Sequence, residues 1–282
     1  MTLREALMWG RAMLSPLLPL SASSDAELLL CAALDRTSAH LAAHGDEEMT
    51  EADYGTFAQW ISRRMRHEPI QYITGRAYFW GLEFHVTPAT LIPRPETELM
   101  VERALALLDA APASVIDVGT GSGCIAIALA HERPNVQVLA LDISSDALAV
   151  ARENATSNNV HTIHFLKNNL LTEADEFLPE GRLILTMNLP YLSEARMRGL
   201  APEVALYEPH SALTAGPDGL DCYRDIFGQI ASLNRKEVTL LCEIDPEQTD
   251  TFTMLANKNF STAKVVVHQD YHNDNRLIEI TL

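Results

Sequence analysis

The chain has 282 residues with a formal net charge of −17, 47% hydrophobic and 21% charged residues. That length suits one large or two modest domains, and the composition is that of an ordinary globular protein. The acidic balance disfavours direct duplex nucleic-acid binding, which needs a concentrated basic surface. No apolar run reaches membrane-spanning length, and no membrane association is expected. The amino terminus, MTLREALMWG, lacks the basic-then-apolar pattern of a signal peptide, so a cytoplasmic location is expected. Cys31, Cys124, Cys222 and Cys242 show no CxxC spacing, which argues for buried reduced thiols rather than a zinc or redox motif. No metal site is expected, since the ten histidines form no HExxH.

Residues 1–75 read as a helical bundle with its own core. Three helix starts carry a hydroxyl residue followed three later by an acid: Thr2…Glu5, Ser24…Glu27 and Thr50…Asp53. Apolar residues follow at helical spacing, among them Leu28, Leu29, Ala32 and Ala33, then Phe57, Trp60 and Ile61. Ten acids against six arginines leave this segment at −4. Its compact basic run, Arg63-Arg64-Met65-Arg66, is read as a solvated helix face.

Residues 76–90 read as a β-hairpin linker, because YFWGLEFHV alternates around Gly81. Then comes Leu91-Ile92-Pro93-Arg94-Pro95-Glu96-Thr97-Glu98. Its prolines keep Ile92 and Arg94 extended, and residues 95–98 open a helix through Leu99, Val101 and Leu105. From Ser114 strands and helices alternate. Strands are expected at 115–117, 136–141, 164–166, 183–185, 238–243, 264–268 and 276–282. Helices are expected at 123–131, 145–157, 219–232 and 246–258. The alternation predicts an α/β domain over 91–282, mostly parallel with an antiparallel edge.

Val115-Ile116-Asp117-Val118-Gly119-Thr120-Gly121-Ser122-Gly123-Cys124 is strand, glycine turn and helix start, at the strand end where open α/β sheets bind ligands. No Lys-Ser or Lys-Thr follows, so it is not a P-loop. A dinucleotide fingerprint would need glycine at 124, where Cys124 stands. Asp142 ends the next strand, where a carboxylate can accept both hydroxyls of a ribose. Asp117 sits where it could meet a cationic ligand group. A nucleoside without phosphates and with an amino-acid tail suits this set: S-adenosylmethionine.

Downstream, Asn188-Leu189-Pro190-Tyr191 follows the run Leu183-Ile184-Leu185. With the glycine loop, it resembles the motif of class I methyltransferases that methylate a planar NH₂ group, usually (Asn/Asp/Ser)-Pro-Pro-(Tyr/Phe). The resemblance implies a Rossmann-like seven-stranded sheet. It implies that the Asn188 side-chain oxygen and the Leu189 carbonyl bind the two N–H groups of the substrate nitrogen, with Tyr191 packed on its plane. Pro190 holds Leu189 extended. NLPY also resembles the motif of rRNA adenine dimethyltransferases, so it does not name the substrate.

Three further stretches are similar to the HemK-type family, the peptide chain release factor glutamine methyltransferases. They are Glu68-Pro69-Ile70-Gln71-Tyr72-Ile73-Thr74-Gly75, the IPRPETE segment above, and Glu203-Val204-Ala205-Leu206-Tyr207-Glu208-Pro209 with Gly216-Pro217-Asp218-Gly219-Leu220-Asp221. This similarity is collinear over nearly the whole chain. It implies methylation of the glutamine side-chain amide nitrogen in the Gly-Gly-Gln loop of class 1 release factors, with residues 1–75 recognising that protein. A sister family acts on a glutamine of a ribosomal protein, and adenine N6-methylation of nucleic acid is the other alternative. IPRPETE and the acidic balance favour the release factor. The same resemblance implies that Gly119, Thr120, Gly121, Ser122, Gly123, Asp117, Asp142, Asn169, Leu170, Thr97 and Asn188 line the S-adenosylmethionine site. Three positions depart from the family pattern: Leu189 replaces the first proline, Asn169 stands where aspartate is common, and Leu170 stands at a position often aromatic.

Overall fold

A computed structural model describes every residue except 173 and 234, and the side chain of residue 175 is likewise outside the description. By compactness the chain divides into Met1–Gly75 with Ala201–Tyr207, and Arg76–Leu200 with Glu208–Leu282.

The first unit holds α1 (Leu3–Leu14), α2 (Ala22–Leu34), α3 (Ser38–Ala43), α4 (Glu51–Arg64) and α5 (Ile70–Thr74). Its core gathers Leu3, Leu14, Leu29, Leu30, Phe57 and Ile61. Thr2 closes a capping box with Glu5, and the Thr50 hydroxyl accepts from the Asp53 amide. The expected box at Ser24 does not form. The chain turns earlier, with Leu18 O accepting from the amides of Ser21 and Ala22, so α2 starts three residues before a Ser24 cap would allow. Ser24 lies in the first turn and its hydroxyl donates to Ser21 O.

The basic run is not a solvated face either. Arg64 is buried and paired with Asp25 at 2.7 Å and with Glu203 at 3.0 Å, while Arg63 pairs with Glu68. A buried guanidinium is tolerable only when its donors are met by carboxylates in this way. Glu203 belongs to the short excursion 201–207, which joins this unit from far along the chain.

The second unit opens with an antiparallel hairpin, β1 (Arg76–Phe79) and β2 (Leu82–His85), turning at Trp80 and Gly81. A short 3₁₀ turn at Pro95–Thr97 leads into α6 (Glu98–Ala110). Then follow β3 (Ser114–Val118), α7 (Cys124–Glu132), β4 (Val138–Asp142), α8 (Ser145–Ser157), β5 (Ile163–Lys167) and β6 (Leu183–Met187). The short α9 (Glu194–Met197) and α10 (Pro202–Tyr207) precede α11 (Asp221–Ser232), β7 (Val238–Glu243), α12 (Thr249–Asn259), β8 (Lys264–Gln269) and β9 (Asn275–Thr281). α10 falls within the excursion that belongs to the first unit.

Seven strands form one sheet in the order β5-β4-β3-β6-β7-β9-β8. The first five are parallel, and β9 runs antiparallel to both neighbours. Alternation along each strand sorts residues onto two faces. Val115, Val138, Ile184 and Leu241 pack with α6, α7 and the hairpin phenylalanines Phe79 and Phe84. Ile116, Leu139, Leu185 and Leu240 pack with Tyr223 and Phe227 of α11 and Phe252 of α12. The expected α/β class and seven-stranded sheet are thus present. The hairpin is more than a connector: Asn154 of α8 pairs with both backbone groups of His85, at 2.6 and 2.9 Å. Of the thiols, only Cys242 is fully buried; Cys31, Cys124 and Cys222 are half-buried.

Candidate active site

β3 and β6 are neighbours, with Val118 opposite Met187, and the chain order reverses between them. A crevice outside the carboxyl ends at such a switch point is where open α/β sheets bind ligands. Here the glycine loop leaves β3, Asp142 ends β4, Asn188 follows β6, and Glu243 ends β7.

The loop is built to stay open. Gly119, Gly121 and Gly123 have φ of 73°, 55° and 83°. At Gly123 a Cβ would lie 2.9 Å from Ile127 Cδ1 and 3.1 Å from Ala151 Cβ, so its bareness lets α7 start against α8. A Cβ on Gly121 would meet only the Gly119 carbonyl oxygen, at 4.0 Å. The amides of Gly119 and Thr120 both donate to Leu141 O, which ties the loop to β4. Ser122 is buried, and its carbonyl accepts from Asn154.

Asp117 is the penultimate residue of β3. It is buried, and its two oxygens accept from the hydroxyls of Thr120 at 2.6 Å and Thr186 at 2.8 Å. Burial pushes its carboxyl up to about 6, against those hydroxyls, which favour the charged form. Its geometry ties the loop to β6, whereas contact with a cationic ligand was expected. Asp142 differs. Its oxygens accept one backbone N–H each, from Gly121 at 2.9 Å and Ser144 at 2.8 Å. Each keeps a further acceptor lone pair, and the side chain is only part-buried. Burial raises its pKa.

Beyond β5, Asn169 is exposed and its carbonyl accepts from the amide and hydroxyl of Thr172. Leu170 takes a positive φ of 53° and leans on the core beside Leu171.

Asn188 is part-buried, and its Nδ2 donates to Thr97 Oγ1 at 3.0 Å. Among the described residues no hydrogen bond is directed at its Oδ1 or at the Leu189 carbonyl. Leu189 is 3% exposed, and its Cδ2 lies 3.1 Å from where a Gly119 Cβ would be. The leucine therefore fills the space that the first loop glycine leaves. Tyr191 donates its phenol to Glu243 Oε1 at 3.1 Å. Thr97, expected at the cofactor, is buried between Asn188 and Glu243, donating to Glu243 Oε2 at 2.7 Å.

Sequence reasoning missed Glu243. Its signal was an acid ending an otherwise apolar strand at the ligand-binding edge. It also missed Tyr223, whose buried phenol lies 2.9 Å from Met187 O and 2.7 Å from Glu243 O, tying the ends of β6 and β7 together.

Residues 5–75 match the PrmC N-terminal domain, and residues 96–190 match the methyltransferase small domain. The chain is 41% identical over 221 residues to the release factor glutamine methyltransferase of Nitratidesulfovibrio vulgaris, covering 78% of this chain and 74% of that one. The Cereibacter sphaeroides protein of the same name is 38% identical over 262 residues, covering 93% and 91%. The chain belongs to the release factor glutamine methyltransferase family. Among solved structures, the hMettl16 catalytic domain in complex with MAT2A 3'UTR hairpin 1 superposes with a TM-score of 0.59 at 16% identity, covering 86% of this chain and 83% of that one. That likeness concerns the fold alone. In this member of the family Leu189 is a buried fit against Gly119.

Proposed function

We propose that this chain transfers a methyl group from S-adenosylmethionine to the side-chain amide nitrogen of the glutamine in the Gly-Gly-Gln motif of class 1 release factors. Family membership supports the reaction. The observation that carries the residue assignment is the pair of acceptors at the switch point, Asn188 Oδ1 and Leu189 O, which receive no hydrogen bond among the described residues.

The residues at the strand ends fit the cofactor. Asp142 has lone pairs to spare for ribose hydroxyls, and at Gly121 no side chain comes within 4 Å of the Cβ position. Gly119, Thr120, Gly121, Ser122, Gly123 and Asp142 would hold it, with Asn169 and Leu170 beside the base. When bound, it supplies an electrophilic methyl on a sulfonium. The chain's task is the nucleophile. An amide nitrogen is weak because its lone pair is delocalised into the carbonyl. Two acceptors that each take one N–H draw it toward a geometry in which that lone pair is available. Asn188 Oδ1 and Leu189 O are those acceptors, and Tyr191 forms the wall against which the amide lies. Fixed dipoles and positioning then carry the rate, with no covalent intermediate.

In this reading the helical unit recognises the release factor, supported by its separate core and its match to the PrmC N-terminal domain. A substrate from the translation machinery puts the enzyme in the cytoplasm. A net charge of −17 supports a protein substrate without direct nucleic-acid contact. Among the described residues no helix is long and apolar enough to cross a membrane. Incubation with labelled S-adenosylmethionine and, separately, release factor, ribosomal protein and rRNA tests the function. Label on the release factor alone is expected; label on either of the others in its place refutes the assignment.

A further inference from the structure

Glu243 is a buried carboxylate, and among the described residues it forms no ion pair. Arg276, the cation that acts on it through space, is bonded to Asp270. A carboxylate kept in such a place costs stability unless its oxygens are well used. Both are: Oε2 accepts from Thr97 and Oε1 from Tyr191. Each of those partners belongs to, or touches, the NLPY segment.

Donor and acceptor counting gives the arrangement a direction. An ionised carboxylate only accepts, and a threonine hydroxyl has one proton. Committed to Glu243, that proton cannot reach Asn188, so Thr97 faces Asn188 with a lone pair. Asn188 must answer with Nδ2, which turns Oδ1 outward. A donor in place of the carboxylate reverses the chain: Thr97 would donate to Asn188 Oδ1, and Nδ2 would then face the substrate amide, donor against donor.

We propose that Glu243 is a positioning residue for methyl transfer: through Thr97 it sets which end of the Asn188 amide faces the substrate, and through the Tyr191 phenol it fixes the aromatic wall beside it. This inference rests on Asn188 being an acceptor for the substrate N–H. Burial pushes the Glu243 carboxyl up, while the hydroxyls of Thr97 and Tyr191 and the charge of Arg276 favour its ionised form and Glu96 opposes it.

The test is single-turnover methyl transfer to a release factor at saturating S-adenosylmethionine. Glu243→Leu, which removes both acceptors, is expected to slow it about 10- to 100-fold, a loss comparable to misaligning one transition-state hydrogen bond, with cofactor affinity unchanged. Thr97→Val gives the same loss and Thr97→Ser, which keeps the hydroxyl, restores turnover; this pair serves if Glu243→Leu does not fold. Because one of the two arms of Glu243 acts through Asn188, adding Glu243→Leu to Asn188→Ala costs less than the product of the two single losses. Multiplicative losses in the double variant, or Thr97→Val turning over like wild type, overturn the inference while Asn188 keeps its role. Wild-type turnover by Asn188→Ala alone overturns the acceptor reading beneath it.

Discussion

Gly219 gives the sharpest perturbation of the site from outside it. The glycine has φ +75°, and a Cβ there would lie 2.0 Å from the carbonyl oxygen of Tyr191 and 2.7 Å from Gln248 Nε2. Those two atoms are themselves hydrogen-bonded at 2.8 Å, so Gly219→Ala strikes both members of the bond that holds the end of NLPY. Real Cβ atoms essentially never approach closer than 3.0 Å, so the backbones of residues 219 and 191 must separate by at least 1.0 Å. Pro190 and Tyr191 are contiguous with the acceptors, and a displacement of about 1 Å at a positioning element costs roughly 100-fold in rate, or about 2.7 kcal/mol of barrier. The left-handed backbone adds a stability cost of about 1–2 kcal/mol for alanine. The assay is labelled methyl transfer to a release factor, with cofactor binding measured by calorimetry as the control for folding. A folded, cofactor-binding Gly219→Ala protein with wild-type turnover would refute the claim that this glycine sets the position of NLPY.

Gly123→Ala, with a Cβ 2.9 Å from Ile127 at φ +83°, is expected to lower stability by about 2–4 kcal/mol from backbone strain and overpacking, read by urea denaturation. Asp142→Ala removes the acceptors proposed for the ribose and should weaken S-adenosylmethionine binding about 10- to 100-fold by calorimetry, on the scale of a hydrogen bond to a charged group. At Asp117 the folded chain holds its proton up to about 6 against the ordinary 3.8. Between those values only the folded chain is protonated there, so stability falls as pH rises, by about 3 kcal/mol across the window. Asp117→Asn lacks that slope, and pH-dependent chemical denaturation of the two proteins measures the difference.

The α/β unit was largely legible because its signals are local. Apolar runs such as Leu183-Ile184-Leu185 marked strands, and alternation with helices marked the parallel sheet. The glycine loop announced the crevice, since only a few backbone paths take a strand into a helix through three glycines. What escaped was set by pairs distant in sequence. Thr97 and Glu243 are 146 residues apart, and Arg64 and Glu203 are 139 apart. No local pattern pairs them, so neither bond was legible, and Arg64 was read as solvated. Asp117 misled for a related reason. Its position at a strand end was clear, but the Thr186 hydroxyl that occupies one of its oxygens lies on another strand. Ser24 shows the local limit: a capping pair in the sequence is a permission, and the earlier turn at Leu18 decided where α2 begins.

The central claim is that Asn188 Oδ1 and Leu189 O present a glutamine amide nitrogen for methylation. Tandem mass spectrometry of a release factor incubated with this protein and S-adenosylmethionine tests it most directly. The account predicts one added methyl group, on the side-chain nitrogen of the Gly-Gly-Gln glutamine, and its near-complete loss with Asn188→Ala. A methyl group on any other residue, or an undiminished yield from Asn188→Ala, would contradict it.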